Sequence, residues 1–361
     1  MEVAARQLVP EIVRAAPGWR FTAFVNHEAV VAGTSEEDWL GGCAVVAVRA
    51  KARNRVKLVA AEQAALPRLA ALEGVDLLHS LANTGPARGR FRRVVTVHDL
   101  IHRTHPDAHF GVRAFGMRAL VPLAARRSDR VIAPSRATRD DIVRLIGLDP
   151  ERIDVVPNGL GAVSSMAPTA EAELRARLGV ADRPIALAVS AKRPHKNLAR
   201  LLDALALIDV PQRPLLVVPG YPTPHEDELR RRAAALGIAA EVRFLPWVGD
   251  ADLEGLYRLA AVSVFPSLYE GFGLPVLESM RRGVPVVCSD IPSLREVAGD
   301  AALRFDPADA EAIAAALTRA TRDEDLRREL VERGRLRAAR FTWGAAAEGT
   351  IASYGRALGT A

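Results

Sequence analysis

The residues best suited to chemistry stand in Ser267-Leu-Tyr-Glu-Gly-Phe-Gly-Leu-Pro-Val-Leu-Glu278-Ser-Met. Glu270 and Glu278 bracket a glycine loop, and the apolar run Ser263 to Pro266 leads into it as a strand. Gly271 and Gly273 let a backbone approach a ligand closely. A helix opening near Leu274 and Pro275 aims its free N–H groups and positive dipole end at whatever binds there, ideally a phosphate. A lone Gly-x-Gly is an ordinary turn, but here loop, proline and both carboxylates coincide. The second stretch is Val189-Ser-Ala-Lys-Arg-Pro-His-Lys196-Asn-Leu, which supplies Ser190, Lys192, Arg193 and Lys196 at another strand end. Cations beside a helix start can neutralise a diphosphate leaving group, arginine bidentately and lysine as a point charge. The bland reading is a solvated basic loop. Against it stands the scarcity of lysine, since Lys51, Lys57, Lys192 and Lys196 are the only lysines among 49 basic residues.

These stretches need a large scaffold. At 361 residues the chain is long enough for two domains. Its 49% hydrophobic and 25% charged residues exclude a disordered tail or a small stapled module. Forty-nine basic against 43 acidic residues leave a net charge of +6, a bias toward anionic partners such as nucleotides or phospholipid headgroups. Nucleic acid is not expected, because no basic stripe interleaved with aromatics is present. Cys43 and Cys288 are too few and too far apart for a disulfide framework or a metal site, which fits a reducing cytoplasm. No apolar window is long enough to span a membrane, and the N-terminus lacks a secretory pattern. The expectation is a cytoplasmic protein, with any membrane contact peripheral and at the inner face.

Short apolar runs at 21–26, 76–79, 94–98, 130–133 and 153–156 read as buried strands with helical patterns between most of them. The alternation restarts at 185–190, 215–219, 241–245, 261–265 and 284–289. Two βα series predict two doubly wound, mostly parallel sheets. The aperiodic Gly/Ser/Ala/Pro stretch 161–169 is the expected linker, followed by a capped helix over 171–178. The expected domains are therefore 1–162 and 170–342, with 343–361 a C-terminal helix packing back across the interface. Ligands in such folds sit beyond the carboxyl ends of strands.

Taken in order and at this separation, the two stretches resemble the C-terminal domain of retaining glycosyltransferases of family 4. Val94-Val-Thr-Val-His-Asp-Leu-Ile, Val131-Ile-Ala-Pro-Ser-Arg-Ala-Thr, Val155-Val-Pro-Asn-Gly and Val242-Arg-Phe-Leu-Pro-Trp-Val extend the resemblance over most of the chain. It implies the GT-B fold, two Rossmann-like domains facing a central cleft. It also implies a retaining transfer of a hexosyl group, mannosyl by preference, from a nucleotide-diphosphate sugar to a hydroxyl of a sugar or lipid-linked acceptor. By that resemblance Glu270 holds donor-sugar hydroxyls, Glu278 accepts from the ribose, the Gly271-Phe272-Gly273-Leu274 backbone lines sugar and phosphate, and Lys196 clamps the diphosphate. Many members carry Gly-Arg where this chain has Ser190-Ala191, so the partner cation is Lys192 or Arg193, with Arg193 preferred. No metal or other cofactor is implied.

In the first domain the resemblance places His98 near the donor sugar and acceptor, with Asp99 following it. His79 either faces the same cleft or is structural. His98, His102, His105 and His109 invite a metal reading, rejected because the segment contains Pro106 and lacks a matched ligand set. The run Arg88, Arg90, Arg92 and Arg93 is a solvated face or an attractor of an anionic acceptor near a membrane. A non-catalytic nucleotide-sugar-binding protein is the alternative. The chain opens on an amphipathic helical pattern with Val3, Leu8, Val9, Ile12 and Val13 on one side, so the run 21–26 reads as a second strand. The first, central strand is expected to be missing, with an authentic start upstream and this version inactive or poorly soluble.

Overall fold

The computed structural model describes residues 2–26, 40–50, 55–105, 112–161, 166–180 and 182–360; His109 and Lys51 lie outside them. The chain divides into two compact units, one comprising Met1–Gly161 with Phe341–Ala361 and the other Ala162–Arg340.

The first unit holds two parallel sheets. Strands β1 (Phe21–Asn26) and β2 (Cys43–Val48) pair along their whole length. Strands β3 (Leu77–Ser80), β4 (Arg92–Thr96), β5 (Arg130–Ala133) and β6 (Ile153–Val155) form the second sheet in chain order. Among the described residues no ladder joins β1 to β3, so the single sheet expected for this domain is two. Strand β2 escaped the sequence reading because its run is apolar without alternation, and Ala44, Val45 and Ala47 remain exposed. Helix Glu2–Ala15 forms where the amphipathic pattern placed it. Helix Arg136–Ile146 is set by its ends: the Ser135 hydroxyl accepts from the Thr138 amide at 3.0 Å, and Gly147 closes it in the left-handed region.

The C-terminal helix Trp343–Leu358 belongs to this first unit. Trp343, Ala347 and Tyr354 pack with Ile12, Val94, Ile132 and Val156. A buried carboxylate locks it further, since Asp154 on β6 accepts from Arg130 at 2.9 Å, Ser353 at 2.6 Å and Arg356 at 2.9 Å. These cations and hydrogen bonds hold the Asp154 carboxyl below the usual carboxylate range, against the upward push of its burial.

The second unit is one six-stranded parallel sheet, ordered β12 (Leu303–Phe305), β11 (Val286–Ser289), β10 (Ala260–Phe265), β7 (Ile185–Leu187), β8 (Leu215–Pro219), β9 (Val242–Leu245). Strands β7 and β8 are buried at every position, as apolar runs covered by helices on both faces must be. Helix Leu198–Leu207 seals one face through Leu201, Leu202 and Leu205. Helix Glu171–Leu178 begins at Ala170 without a side-chain cap, and Glu171 and Glu173 in its first turn complement the dipole instead. The chain winds from β7 outward to β9, then returns to the centre and winds the other way from β10 to β12. The order therefore reverses between β7 and β10, the switch point where doubly wound sheets bind ligands.

Candidate functional site

Both loops singled out by sequence leave that switch point. Beyond β7 the chain runs through Ser190 to a short 3-10 turn, Pro194–Lys196. Beyond β10 it runs through Ser267 and Glu270 to helix Leu274–Arg281, whose N-cap is Gly273 at φ +115°. A Cβ on Gly273 would stand 2.6 Å from Leu294 Cδ2, so this turn requires glycine on both counts. Pro275, which has no N–H, follows in the first turn, the Val276 amide donates to the Gly273 carbonyl at 3.1 Å, and the N-cap supplies no side-chain cap to this helix start.

Ser190, Lys196, Ser267, Glu270, Gly273 and Pro275 line one pocket. Lys196 Nζ donates to Glu270 Oε1 at 2.6 Å, and the Ser267 hydroxyl donates to the same oxygen at 2.7 Å. The pair is about one-fifth exposed on each side, so a ligand can reach it. Asn197, which sequence reasoning missed, fixes the lysine's loop. It adopts the left-handed region at φ 57°, and its amide nitrogen donates to the Pro266 carbonyl at 3.0 Å and the Pro307 carbonyl at 2.8 Å. Gly220 was also missed: at φ +146° it passes so close to β7 that a Cβ would meet the Ser190 carbonyl oxygen at 2.2 Å. Neither role is local in sequence, so no spacing signals it.

Lys192 is directed elsewhere. Its side chain is fully buried, and Nζ donates to the carbonyls of Gly220 at 2.5 Å and of Leu245. Burial lowers its pKa, with Glu226 acting in the opposite direction. The lysine thus staples the ends of β8 and β9, and its expected place among donor-binding cations is corrected by this burial. Arg193 is half-buried, and among the described residues its guanidinium has no hydrogen bond or ion pair. The staple also sets up an unforeseen surface feature. Tyr221 and Trp247 follow the two strand ends, stack at 4.7 Å between ring centroids, and are 58% and 62% exposed. Adjacent exposed aromatics on loops are a signal that sequence alone carries only after the strands are aligned.

Glu278 lies one turn from the end of helix Leu274–Arg281. The buried Tyr257 hydroxyl donates to its Oε2 at 3.3 Å, and Arg282 stacks over the Tyr257 ring at 4.5 Å while pairing with Glu254. Burial raises the Glu278 pKa, partly offset by Arg282 and the Tyr257 hydrogen bond. Phe272 is buried, so it contributes backbone rather than side chain to the loop.

In the first unit His98 follows β4. Its backbone amide donates to Asn83 Oδ1 at 2.6 Å, and its Nε2 lies 2.8 Å from the Leu81 carbonyl. A carbonyl only accepts, so Nε2 carries the proton and Nδ1 is the acceptor. Burial lowers the His98 pKa, keeping the ring neutral. His98, Thr96, Asn158 and Trp343 line a second pocket. His79 does not line it. Its nitrogens are taken by the Tyr354 hydroxyl at 2.7 Å and the Thr96 hydroxyl at 2.8 Å, and burial pushes its pKa down to about 3. Asp99, one residue before the N-cap Leu100 of helix Ile101–Thr104, accepts from the Ile101 amide at 3.1 Å. Of the basic run, Arg92 pairs with Asp129 and Arg93 donates to the Arg127 carbonyl, while Arg88 and Arg90 are exposed. Among the described residues no three His, Cys, Asp or Glu side chains gather as metal ligands, and no helix is long and apolar enough to cross a membrane.

Comparison with known proteins agrees with this layout. Residues 1–161 match Glycosyltransferase Family 4, and residues 170–337 match Glycosyl transferases group 1. The chain is 34% identical to the O-antigen chain mannosyltransferase B of Escherichia coli, over 73% of this chain and 70% of that protein. It is 30% identical to the serotype-specific mannosyltransferase WbdA of Escherichia coli over 74% of its own length, but that match spans only 34% of the relative. HepE of Anabaena, solved with UDP and glucose, superposes with a TM-score of 0.74 at 19% identity, covering 97% of this chain and 95% of that one. The chain belongs to glycosyltransferase family 4, the group 1 glycosyltransferases, and has their GT-B fold.

Proposed function

We propose that this protein transfers a hexosyl group, mannosyl by preference, from a nucleotide-diphosphate sugar to a hydroxyl of a sugar or lipid-linked acceptor, with retention at the anomeric carbon. The observation that carries this reading is the Lys196–Glu270–Ser267 cluster at the opening of helix Leu274–Arg281. The second unit binds the donor. Glu278 accepts from the ribose, the exposed Tyr221–Trp247 stack offers the base a flat face, and the Gly271 to Leu274 backbone lines the sugar and phosphate. Lys196 has three donors, so its ammonium can keep Glu270 while taking a phosphate oxygen. As the anomeric carbon–oxygen bond breaks, the electron pair leaves with the diphosphate. Lys196, Arg193 and the helix N-terminus stabilise that growing charge. The acceptor oxygen attacks the same face and its proton passes to the departing phosphate, so no protein nucleophile is required. Glu270 orients the sugar hydroxyls, and His98 Nδ1 accepts from a hydroxyl of the acceptor.

A thermal-shift panel of nucleotide-sugars tests the donor half directly. A ligand at about 100 times its Kd stabilises by roughly 2.7 kcal/mol, a shift that such a panel resolves. The expected result is a shift with one base and one sugar, abolished by Glu278→Ala. No shift with any nucleotide-sugar refutes the reading. Transfer rather than donor binding alone separates an enzyme from a non-catalytic binder.

A further inference from the structure

Helix Glu324–Ala338 has one face buried and one facing an open groove. Leu330, Gly334 and Ala338 are buried, and a Cβ on Gly334 would stand 3.2 Å from Met280 Cγ. The other face lines a groove of about 810 Å³, into which Arg327, Arg328 and Arg335 project together with Arg258 from helix Asp250–Leu259. Arg328 pairs with Asp325. Among the described residues the guanidinia of Arg258, Arg327 and Arg335 make no hydrogen bond or ion pair, and Arg327 Nε is shielded from water without a partner. The carboxylates of Glu324 and Glu332 share the lining and make no ion pair either. Elsewhere in the second unit Arg232 pairs with Asp203 and Arg295 with Asp290, whereas Arg193 and Arg281, like Arg258, Arg327 and Arg335, do not pair with a carboxylate among the described residues.

This arrangement does nothing for the fold. Arg327 and Arg328 lie near the start of their helix, where the dipole disfavours cations. Arg327 is half-buried and its Nε is withdrawn from water without a partner, which is unfavourable. Arg258, Arg328 and Arg335 are exposed, and the four guanidinia lining the groove outnumber its two carboxylates and repel each other. Gly283 requires glycine for its φ of +71°, and the Arg335 guanidinium lies over it, 2.6 Å from where a Cβ would stand. What would offset these costs is an oxyanion bound among the arginines, whose planar forks match phosphate bidentately.

We propose that this groove is a second anion site, for a phosphate-bearing ligand, independent of the donor pocket. The groove meets the sheet at Ala260, where β10 begins, and at Pro285, just before β11, whereas Glu270 follows the opposite end of β10. Six residues of strand separate the two, about 17 Å. Phosphate reaches such a groove either in a soluble compound or in an anionic phospholipid headgroup. Leu336, 64% exposed in the lining, is placed to touch acyl chains in the second case.

The test uses the full chain carrying Lys196→Ala, so that the donor pocket does not mask the groove. Pyrophosphate binding is read by calorimetry. Vesicle binding is read by flotation with phosphatidylcholine vesicles, with and without phosphatidylglycerol. Arg327→Gln with Arg335→Gln is expected to weaken one of these by about 100-fold, since each charge-assisted contact contributes roughly a factor of ten. Arg258→Gln, at an exposed helix end, provides a separate single variant whose folding is not in question. In the Lys196 parent, the same arginine changes should leave the nucleotide-sugar thermal shift intact. A loss on pyrophosphate assigns a soluble ligand, and a loss on phosphatidylglycerol vesicles assigns a lipid. Absence of both bindings in the Lys196→Ala chain, or equal binding by all arginine variants, overturns the proposal whether or not the donor reading stands.

Discussion

Replacing Gly220 by alanine probes how the second unit positions its site. The new Cβ would lie 2.2 Å from the Ser190 carbonyl oxygen, 2.7 Å from its carbonyl carbon and 3.1 Å from the Ala191 nitrogen. All three are backbone atoms, so no rotamer relieves the contact. Restoring an ordinary separation requires β7 and β8 to part by about 1 Å at their ends, where Ser190 donates its amide to the Pro219 carbonyl at 3.0 Å. A non-glycine residue at φ +146° adds roughly 1–3 kcal/mol of strain, and overpacking another 1–3 kcal/mol. The expected destabilisation is about 2–6 kcal/mol, a fall in Tm on the order of 5–20 °C for a unit of this size. Because Ser190 lines the Lys196–Glu270 pocket and Lys192 bonds the Gly220 carbonyl, the same displacement should lower kcat/KM by about 100-fold in the fraction that remains folded. Thermal unfolding and steady-state transfer measured on one preparation check both numbers. A variant within about 0.5 kcal/mol of the parent and fully active would refute the close approach and its role.

Lys196→Ala should lower turnover by about 100-fold or more, whereas Lys57→Ala, an exposed lysine of the first unit, should lie within threefold of the parent; equal effects in initial-rate assays would remove the diphosphate clamp. Glu278→Ala should raise the donor KM and Glu270→Ala mainly lower kcat, because a ribose contact persists through the reaction while a sugar contact strengthens at the transition state. Ribose binding needs ionised Glu278, and burial raises its pKa, so donor affinity should fall on acidification with a midpoint above the ordinary glutamate value of 4.5; a pH-independent Kd down to pH 4 would contradict this. His79 titrates near 6.5 when unfolded and at about 3 when folded, so between those values the unfolded chain binds the extra proton and stability falls as pH drops. Its share at pH 5 is about 2 kcal/mol relative to neutral pH, and the stability of His79→Gln should lose that part of the slope in denaturant titrations at several pH values.

Much of the second unit is legible in sequence because its strands are short, fully buried apolar runs. Leu215–Pro219 matches the run read from sequence residue for residue, and the others shift only at their ends. Strand β12 escapes because three residues of Leu303–Phe305 carry no periodicity. In the site, Glu270 and Lys196 were identified separately, and the fold brings them to 2.6 Å. Lys192 illustrates the limit: two lysines four residues apart look alike in sequence, yet one reaches the pocket and the other is enclosed by the carbonyls of Gly220 and Leu245. Only the alignment of β7, β8 and β9 distinguishes them. Asn197 and Gly220 were illegible for the same reason, since what constrains each is backbone distant in the chain.

Glycosyl transfer with retention from a nucleotide-sugar is tested most directly by following the anomeric centre. The purified chain is given an α-linked nucleotide-diphosphate hexose and a hydroxyl acceptor, and the product is examined by NMR for the configuration of the new glycosidic bond. The predicted result is an α-linked product, formed about 100-fold more slowly or not at all by Lys196→Ala. A β-linked product, or no consumption of any nucleotide-sugar offered, would contradict it.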